Sequence, residues 1–308
     1  MEGIHLAGSG VRRVALQLLA AIGLAAAISL WLASSALANH PVLVEGNCNN
    51  PPGNPFFAAV PAPGTCGDYD GDGTIGPAED NDGDRVFGTI NGANTQGSAA
   101  TRINNNGTIT VVTSGLFPET VRLEGNVTLE GAPGVEANID AVRQGDLQST
   151  ARQSRPGIII DAPDNRYVVV RNVQSRNWTE GIKVKDNSRV ALEGVRVEHN
   201  TNYGIRAQDN SRVAISNSEV RATGFRLNLD TGDFPTLNNP SPGNGIEFED
   251  DSSGTVCQSS VTGSFRVGIK ANGGVSLALL NVFDNTVNLS DSIRSDVGTS
   301  CIGDDGRR

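Results

Sequence analysis

The chain is poor in the residues that usually build large cores and reactive sites. Its 308 residues include one methionine, the initiator, and aromatics are 5% of the total. That excludes a core of large rings and leaves small aliphatic side chains, packed repeatedly, to do the work. Lysine occurs three times and histidine three times. Basic residues number 24 against 34 acidic ones, for a formal charge of −10. Nucleic acid is therefore excluded as the main partner, because phosphate neutralisation needs a basic face. Charged residues at 19% and hydrophobics at 37% exclude both a disordered polyampholyte and a bundle of long helices. No Cys-x-x-Cys occurs, and beyond residue 38 the only histidines are His40 and His199, so a zinc site is not expected. No long apolar run lies beyond residue 38 either. What is abundant is glycine, at 37 residues, which implies many turns.

The one long apolar run is N-terminal. Arg12 and Arg13 precede apolar residues from Val14 to Leu32, and Ser34-Ser35-Ala36-Leu37-Ala38 follows with small residues at both recognition positions of an A-x-A cleavage site. Residues 1–38 are expected to be a signal peptide, with the mature protein beginning near Asn39 and carrying no membrane span. The run is also long enough to remain as an anchor. Either outcome places the body outside the cytoplasm, secreted or at the cell surface.

Four cysteines suit that oxidising location: Cys48, Cys66, Cys257 and Cys301. The simplest pairing joins Cys48 to Cys66 and Cys257 to Cys301, although three connectivities are open. Between them, Asp68-Tyr69-Asp70-Gly71-Asp72-Gly73-Thr74-Ile75-Gly76-Pro77-Ala78-Glu79 places acids at positions one, three and five, glycine at six, an aliphatic at eight and glutamate at twelve. Calcium requires several oxygens around a sphere, glycine permits the sharp turn, and the last glutamate closes the shell. Asp68, Asp70, Asp72, Thr74 and Glu79 are the expected Ca2+ ligands. Asp80, Asp82 and Asp84 extend the site or hold a second ion. The alternative is a solvated acidic turn. The flanks are rich in proline, so the loop resembles the helix-poor calcium loops of dockerin and thrombospondin type 3 repeats. That resemblance implies a structural role at extracellular calcium levels.

The remainder is repetitive. Gly-Ile begins at Gly157, Gly181, Gly204, Gly245 and Gly268, with Gly134-Val135 as an earlier degenerate copy. The spacing is 23 or 24 residues except between Gly204 and Gly245, where an insertion at about 225–242 intervenes. Gly181-Ile-Lys-Val-Lys-Asp-Asn-Ser-Arg-Val-Ala-Leu and Gly204-Ile-Arg-Ala-Gln-Asp-Asn-Ser-Arg-Val-Ala-Ile are nearly superimposable. Each reads as an alternating strand, an Asp-Asn-Ser turn, a second alternating strand and a polar turn. No copy can bury its own apolar face, so copies must stack. The inward columns are expected to be Ile158, Ile182, Ile205, Ile246, Ile269 and, two residues on, Ile160, Val184, Ala207, Phe248, Ala271.

This pattern resembles the right-handed parallel β-helix repeat proteins of pectate-lyase-like architecture. The expected fold is an all-β solenoid of about six to seven coils over residues 98–286. A Cys/Pro/Asp-rich calcium-binding segment over 39–97 precedes it, with a short capping helix at 98–103, and a tail at 287–308 follows. Alternation then places Ile159, Lys183, Arg206, Glu247 and Lys270 in one outward column, and Asp161, Lys185, Gln208, Glu249 and Asn272 in a second. All three lysines fall on this face. Lys183 and Arg206 are adjacent like charges, a pairing that calls for compensation from an anionic ligand or from Glu247.

Related architectures bind acidic polysaccharide along such a face, and some lyases among them use a lysine or arginine to take a proton beside a uronate carboxyl group. On that resemblance Lys183, Arg206 and Glu247 are the candidate catalytic residues, and Lys185, Glu249 and Lys270 the candidate substrate contacts. Glu247 or Glu249 could serve instead as a hydrolase acid. Trp178 and Tyr203 either stack on sugar or pack in the turn, and His199 reads as a turn residue. The Gly-His-Gly of polygalacturonases and the Asp-Pro-His of alginate epimerases are absent. Three functional classes follow. The first is a calcium-stabilised protein that binds or processes acidic polysaccharide or cell-surface glycan, as a lyase in its catalytic form. The second is a non-catalytic surface scaffold or adhesin, with the face a solvated charge ladder. The third, a calcium sensor, is disfavoured because one loop lacks a helix pair to open.

Overall fold

The computed structural model describes residues 42–48, 72, 74, 87–90, 99, 103, 106–141, 153–164, 166–224, 243–272, 275–278, 281–283, 285 and 287–289. The chain divides into Met1–His40 and Pro41–Arg308. The first unit, with the apolar run 14–32, lies outside the described residues. Among the described residues no helix is long and apolar enough to cross a membrane.

Among the described residues from Asn106 onward, the backbone passes through three strands per turn and repeats them seven times. The Gly-Ile sheet stacks Val121–Leu123, Pro156–Asp161, Glu180–Lys185, Tyr203–Ala207, Asn244–Phe248, Val267–Ala271 and Val287–Leu289. A second sheet follows the Asp-Asn-Ser turns: Asn106–Thr113, Asn126–Gly131, Tyr167–Arg171, Arg189–Glu193, Arg212–Ser216, Ser253–Cys257 and Val275–Ala278. The third is made of strands of three or four residues, from Gly115–Phe117 to Asn281–Phe283. Pairing is parallel, each strand lying beside its counterpart one coil away. Seven coils agree with the expected six to seven.

Three differences from the sequence reading stand out. Each repeat holds three strands rather than two, because the segment taken as a polar turn contains the short third-sheet strand. The Gly-Ile sheet extends past residue 286, since Val287–Leu289 pairs on Val267–Ala271. The N-terminal segment is not all loop: Val42–Glu45 pairs in parallel on Asn106–Thr113 and covers that edge of the second sheet. Of the expected capping helix only Ala99 and Ile103 are described. The Ile103 N–H donates to the Ala99 carbonyl at 3.1 Å, the spacing of one helical turn.

The core is the predicted set of columns. Ile158, Ile182, Ile205, Ile246 and Ile269 are buried, as are Ile160, Val184, Ala207, Phe248 and Ala271. The glycines of the first four Gly-Ile pairs, Gly157, Gly181, Gly204 and Gly245, are required by close approach. A Cβ on Gly204 would stand 2.5 Å from both the Gly245 carbonyl oxygen and Val220 Cγ1. One on Gly181 would stand 2.4 Å from Val197 Cγ1. The Asp-Asn-Ser turn has an equally physical basis. Asp186 and Asn187, then Asp209 and Asn210, adopt φ near +60° in succession, a conformation that short polar side chains tolerate. The serine that follows is buried, and Ser211 Oγ donates to the Gln208 carbonyl at 2.7 Å to close the turn.

Candidate functional site

The outward face of the Gly-Ile sheet carries the predicted column in register. Lys183 lies beside Ile159 and Arg206, Arg206 beside Glu247, and Glu247 beside Lys270. Lys185 lies beside Asp161 in the neighbouring column.

Compensation of the Lys183–Arg206 pair comes from a residue the sequence reading missed. Glu180, buried at 7% exposure, accepts from Arg206 Nη1 at 3.2 Å through Oε1. Its Oε2 stands 3.8 Å from Lys183 Nζ. Glu249 holds the other side of the same guanidinium, which donates to Oε2 from Nη2 at 2.7 Å and from Nε at 3.0 Å. Glu247, expected as the compensating acid, is engaged by Lys270 and by the Asn244 amide instead. No signal in the repeat marked Glu180, because its counterparts in neighbouring coils are Pro156 and Tyr203. Toward the N-terminal coils Lys185 bonds Asp186 and approaches Asp161 at 2.8 Å, and Arg122 donates to Asp161 at 3.3 Å.

Electrostatics separates the two glutamates. Glu247 is 1% exposed, and burial pushes its carboxyl above the ordinary carboxylate range despite its bonds from Lys270 and Asn244. Burial also acts to raise Glu249, but the Arg206 guanidinium outweighs it and holds that carboxyl below its usual value. The two carboxyl groups lie two residues apart at the end of the same strand, and each influences the other's protonation. The surroundings thus push the two carboxyls in opposite directions. Beside them the Arg206 guanidinium lies 4.6 Å from the Tyr203 ring centroid. Burial raises the Tyr203 hydroxyl to about 12.

The aromatic expectations divide. Trp178 is fully buried and its indole N–H donates to the Ile139 carbonyl at 2.9 Å, so it packs in the turn and does not meet sugar. Tyr203 is half-buried at the edge of the face. His199 sits in a turn with φ +55°, and burial lowers its ring below the usual value.

Of the expected calcium ligands, Asp72 and Thr74 are described. Asp72 Oδ1 accepts from both the backbone N–H and the hydroxyl of Thr74 at 2.8 Å. Asp68, Asp70 and Glu79 lie outside the described residues, as do Asp80, Asp82, Asp84 and the insertion at 225–242. Cys48 and Cys257 are not free thiols. Cys66 and Cys301 lie outside the described residues.

Residues 91–287 match the family model described as "Right handed beta helix region". No curated protein and no solved structure matches the chain.

Proposed function

The chain belongs to the right-handed β-helix family, and on that footing we propose that it is an exported protein that binds and processes an acidic polysaccharide along the Gly-Ile sheet. The observation that carries this reading is the Glu247–Glu249 pair. A buried carboxyl raised by its surroundings lies two residues along the chain from a second one that an arginine binds and lowers, on a face lined by Lys183, Lys185, Arg206 and Lys270. Glu247 is the general acid and Glu249 the charged partner. Arg206 and Lys270 hold the two carboxyls in place, while Lys183 and Lys185 contact the uronate units. This favours hydrolysis over elimination, because the Glu180 carboxylate stands against both Lys183 and Arg206, the two groups an elimination would need as base.

Calcium has a structural part in this reading. Asp68, Asp70, Asp72, Thr74 and Glu79 supply the hard oxygen set that the ion prefers, and the Asp72–Thr74 turn fits that loop. Disulfides from Cys48 to Cys66 and from Cys257 to Cys301 fit an extracytoplasmic location. Calorimetry is expected to detect calcium binding in the wild type and to lose it in Asp70→Ala and Glu79→Ala. Undiminished heat in both variants would reject the loop.

The test of the main reading is turnover. The protein would be incubated with pectate, alginate and alternating uronate copolymers, with calcium and with chelator, and both reducing and unsaturated ends followed. Reducing ends without unsaturation are expected, with a loss of at least a hundredfold in Glu247→Gln. Unsaturated ends would transfer the chemistry to Lys183 and Arg206 as a lyase. Silence from a folded protein would leave a non-catalytic scaffold or adhesin. That second reading is favoured by one specific observation, that most cations of the ladder are already bonded to the chain's own carboxylates.

A further inference from the structure

The two ends of the solenoid are finished differently. At the N-terminal end Val42–Glu45 pairs on the second sheet, and Val42, Val44, Phe87, Ile90 and Ala99 are buried against the core. At the other end the three sheets stop at Val287–Leu289, Val275–Ala278 and Asn281–Phe283, and no further strand pairs there among the described residues. The inward isoleucine column stops with them. Leu289 lies beside Ile269 and continues that column, yet it is 37% exposed where Ile269 is fully buried. Val287 on the same strand is 48% exposed. Apolar side chains at the mouth of a core, beside a row of open backbone N–H and C=O groups, form an edge that pairs with another chain unless something covers it.

The cysteines indicate what covers it. Cys48 and Cys257 are both disulfide-bonded. They cannot be bonded to each other. Val42–Glu45, just before Cys48, and Ser253–Cys257 stand six strands apart in the second sheet, about 29 Å, and a disulfide spans no more than about 7 Å between Cα atoms. Each bond therefore leads to Cys66 or Cys301, both outside the described residues. Cys66 is tethered 18 residues beyond Cys48, at the N-terminal end. Cys301 follows Leu289 by 12 residues, at the end where the strand of Cys257 pairs with Val275–Ala278 of the last coil. The shorter closures are the ones within each end. Alternation with the buried Val256 places Cys257 on the outer face of the second sheet. The path from Leu289 to Cys257 thus leads from one sheet over the end to the outside of another. Twelve extended residues reach about 40 Å, against about 10 Å between packed sheets, so the stretch can cross the end with length to spare. It carries Ile293 and Val297, with Ile302 just beyond Cys301.

We propose that residues 290–308 form a strap over the C-terminal end of the solenoid, fastened by a Cys257–Cys301 disulfide, and that the strap keeps this end from pairing with a second copy of the chain. The strap rests on the cysteine pairing proposed above and is independent of what the Gly-Ile face binds. Ile293 and Val297 cover Val287 and Leu289, and the disulfide holds them there at high local concentration. A second copy would have to displace a tethered occupant, so the protein with its disulfide intact stays monomeric.

The experiment compares the full oxidised protein with variants of the strap. Non-reducing peptide mapping of the wild type is expected to give a linked Cys257–Cys301 peptide, and light scattering a monomer. Ile293→Asn combined with Val297→Asn leaves the disulfide in place. It should speed hydrogen exchange at Val287–Leu289 by at least about tenfold and bring on association. Truncation after Leu289, with Cys257→Ser to remove the stranded thiol, should associate at a concentration at least about tenfold lower than the wild type needs. Adding Leu289→Lys should return it to a monomer, because a charge on an edge strand opposes pairing. The double asparagine variant carries the test by itself should the truncated chain not fold. A linked Cys66–Cys257 peptide would overturn the cysteine pairing and the fastened strap together. Unchanged exchange at Val287–Leu289 in the double asparagine variant, or a folded truncated chain that stays monomeric, would overturn the strap and leave the pairing standing. A wild-type dimer that Leu289→Lys dissociates would make a second copy the occupant of this end and overturn the strap as well.

Discussion

Gly204→Ala is expected to destabilise the solenoid by about 3 kcal/mol, through one added methyl group. The new carbon would stand 2.5 Å from a carbonyl oxygen of the next coil and 2.5 Å from Val220 Cγ1. Real Cβ atoms do not approach that closely, so something must move. The carbonyl belongs to Gly245, whose strand pairs with Tyr203–Ala207 in the same sheet, and shifting it disturbs the pairing itself. Val220 is fully packed in the third sheet and has no room to retreat. For a chain of this size the melting temperature should fall by roughly 6–12 °C. Ile205→Val, at the next residue, is the control. It removes a methylene from a buried column and should cost about 0.5–1.5 kcal/mol. If Gly204→Ala costs no more than Ile205→Val in chemical denaturation, the close-approach account of the Gly-Ile repeat is wrong. Because coils contact only their neighbours, the loss should also broaden the transition, as the coils on either side of the defect uncouple.

That glycine is also why so much of the fold was legible. The same spatial demand recurs at Gly157, Gly181, Gly204 and Gly245, so it appears in the sequence as a dipeptide at near-regular spacing, and the isoleucine beside it identifies the inward column. The Asp-Asn-Ser turn was legible for a similar reason, since two successive residues at positive φ leave few side chains to choose from. The third sheet was hidden because its strands are too short to show a period. In Arg196–Glu198 and Glu219–Arg221 only the central residue, a valine, is apolar, and one apolar residue among charged ones looks like a turn. Val42–Glu45 was hidden because its partner, Asn106–Thr113, lies about sixty residues away across a proline-rich segment with no repeat.

The site divides along the same line. Which residues share a column follows from alternation and spacing, and Lys183, Arg206, Glu247 and Lys270 stand as that arithmetic requires. Which charges pair does not follow from it. Arg206 passes over its column neighbour Glu247 and takes Glu249, two residues further along the strand, together with Glu180 from the coil before. A long guanidinium reaches diagonally across the pleat, and its choice is set by side-chain geometry that no repeat encodes.

The corner that leads into this face depends on one ring. Trp178→Ala is expected to cost about 3–5 kcal/mol, the range for deleting a fully buried aromatic. Its indole N–H donates to the Ile139 carbonyl at 2.9 Å, and its backbone N–H donates to Asn200 Oδ1 at 3.0 Å. Gly157 lies against the ring so closely that a Cβ there would stand 2.6 Å from Cδ1. Trp178 thus ties together three successive coils through Ile139, its own segment and Asn200. Alanine would leave a cavity and an unpaired buried carbonyl at the same point. Trp178→Phe should cost less, because it keeps most of the ring volume and loses mainly the indole bond. Urea denaturation separates the terms: the step from tryptophan to phenylalanine reports the hydrogen bond, and the step from phenylalanine to alanine the cavity. The turn reaches Glu180 only two residues later, so a loosened corner should also spread the Glu180 and Arg206 side chains. Glycan binding is then expected to weaken in Trp178→Ala although the ring touches no ligand, and to survive largely in Trp178→Phe. A Trp178→Ala protein as stable as the wild type would show that the coils on either side hold the corner without it.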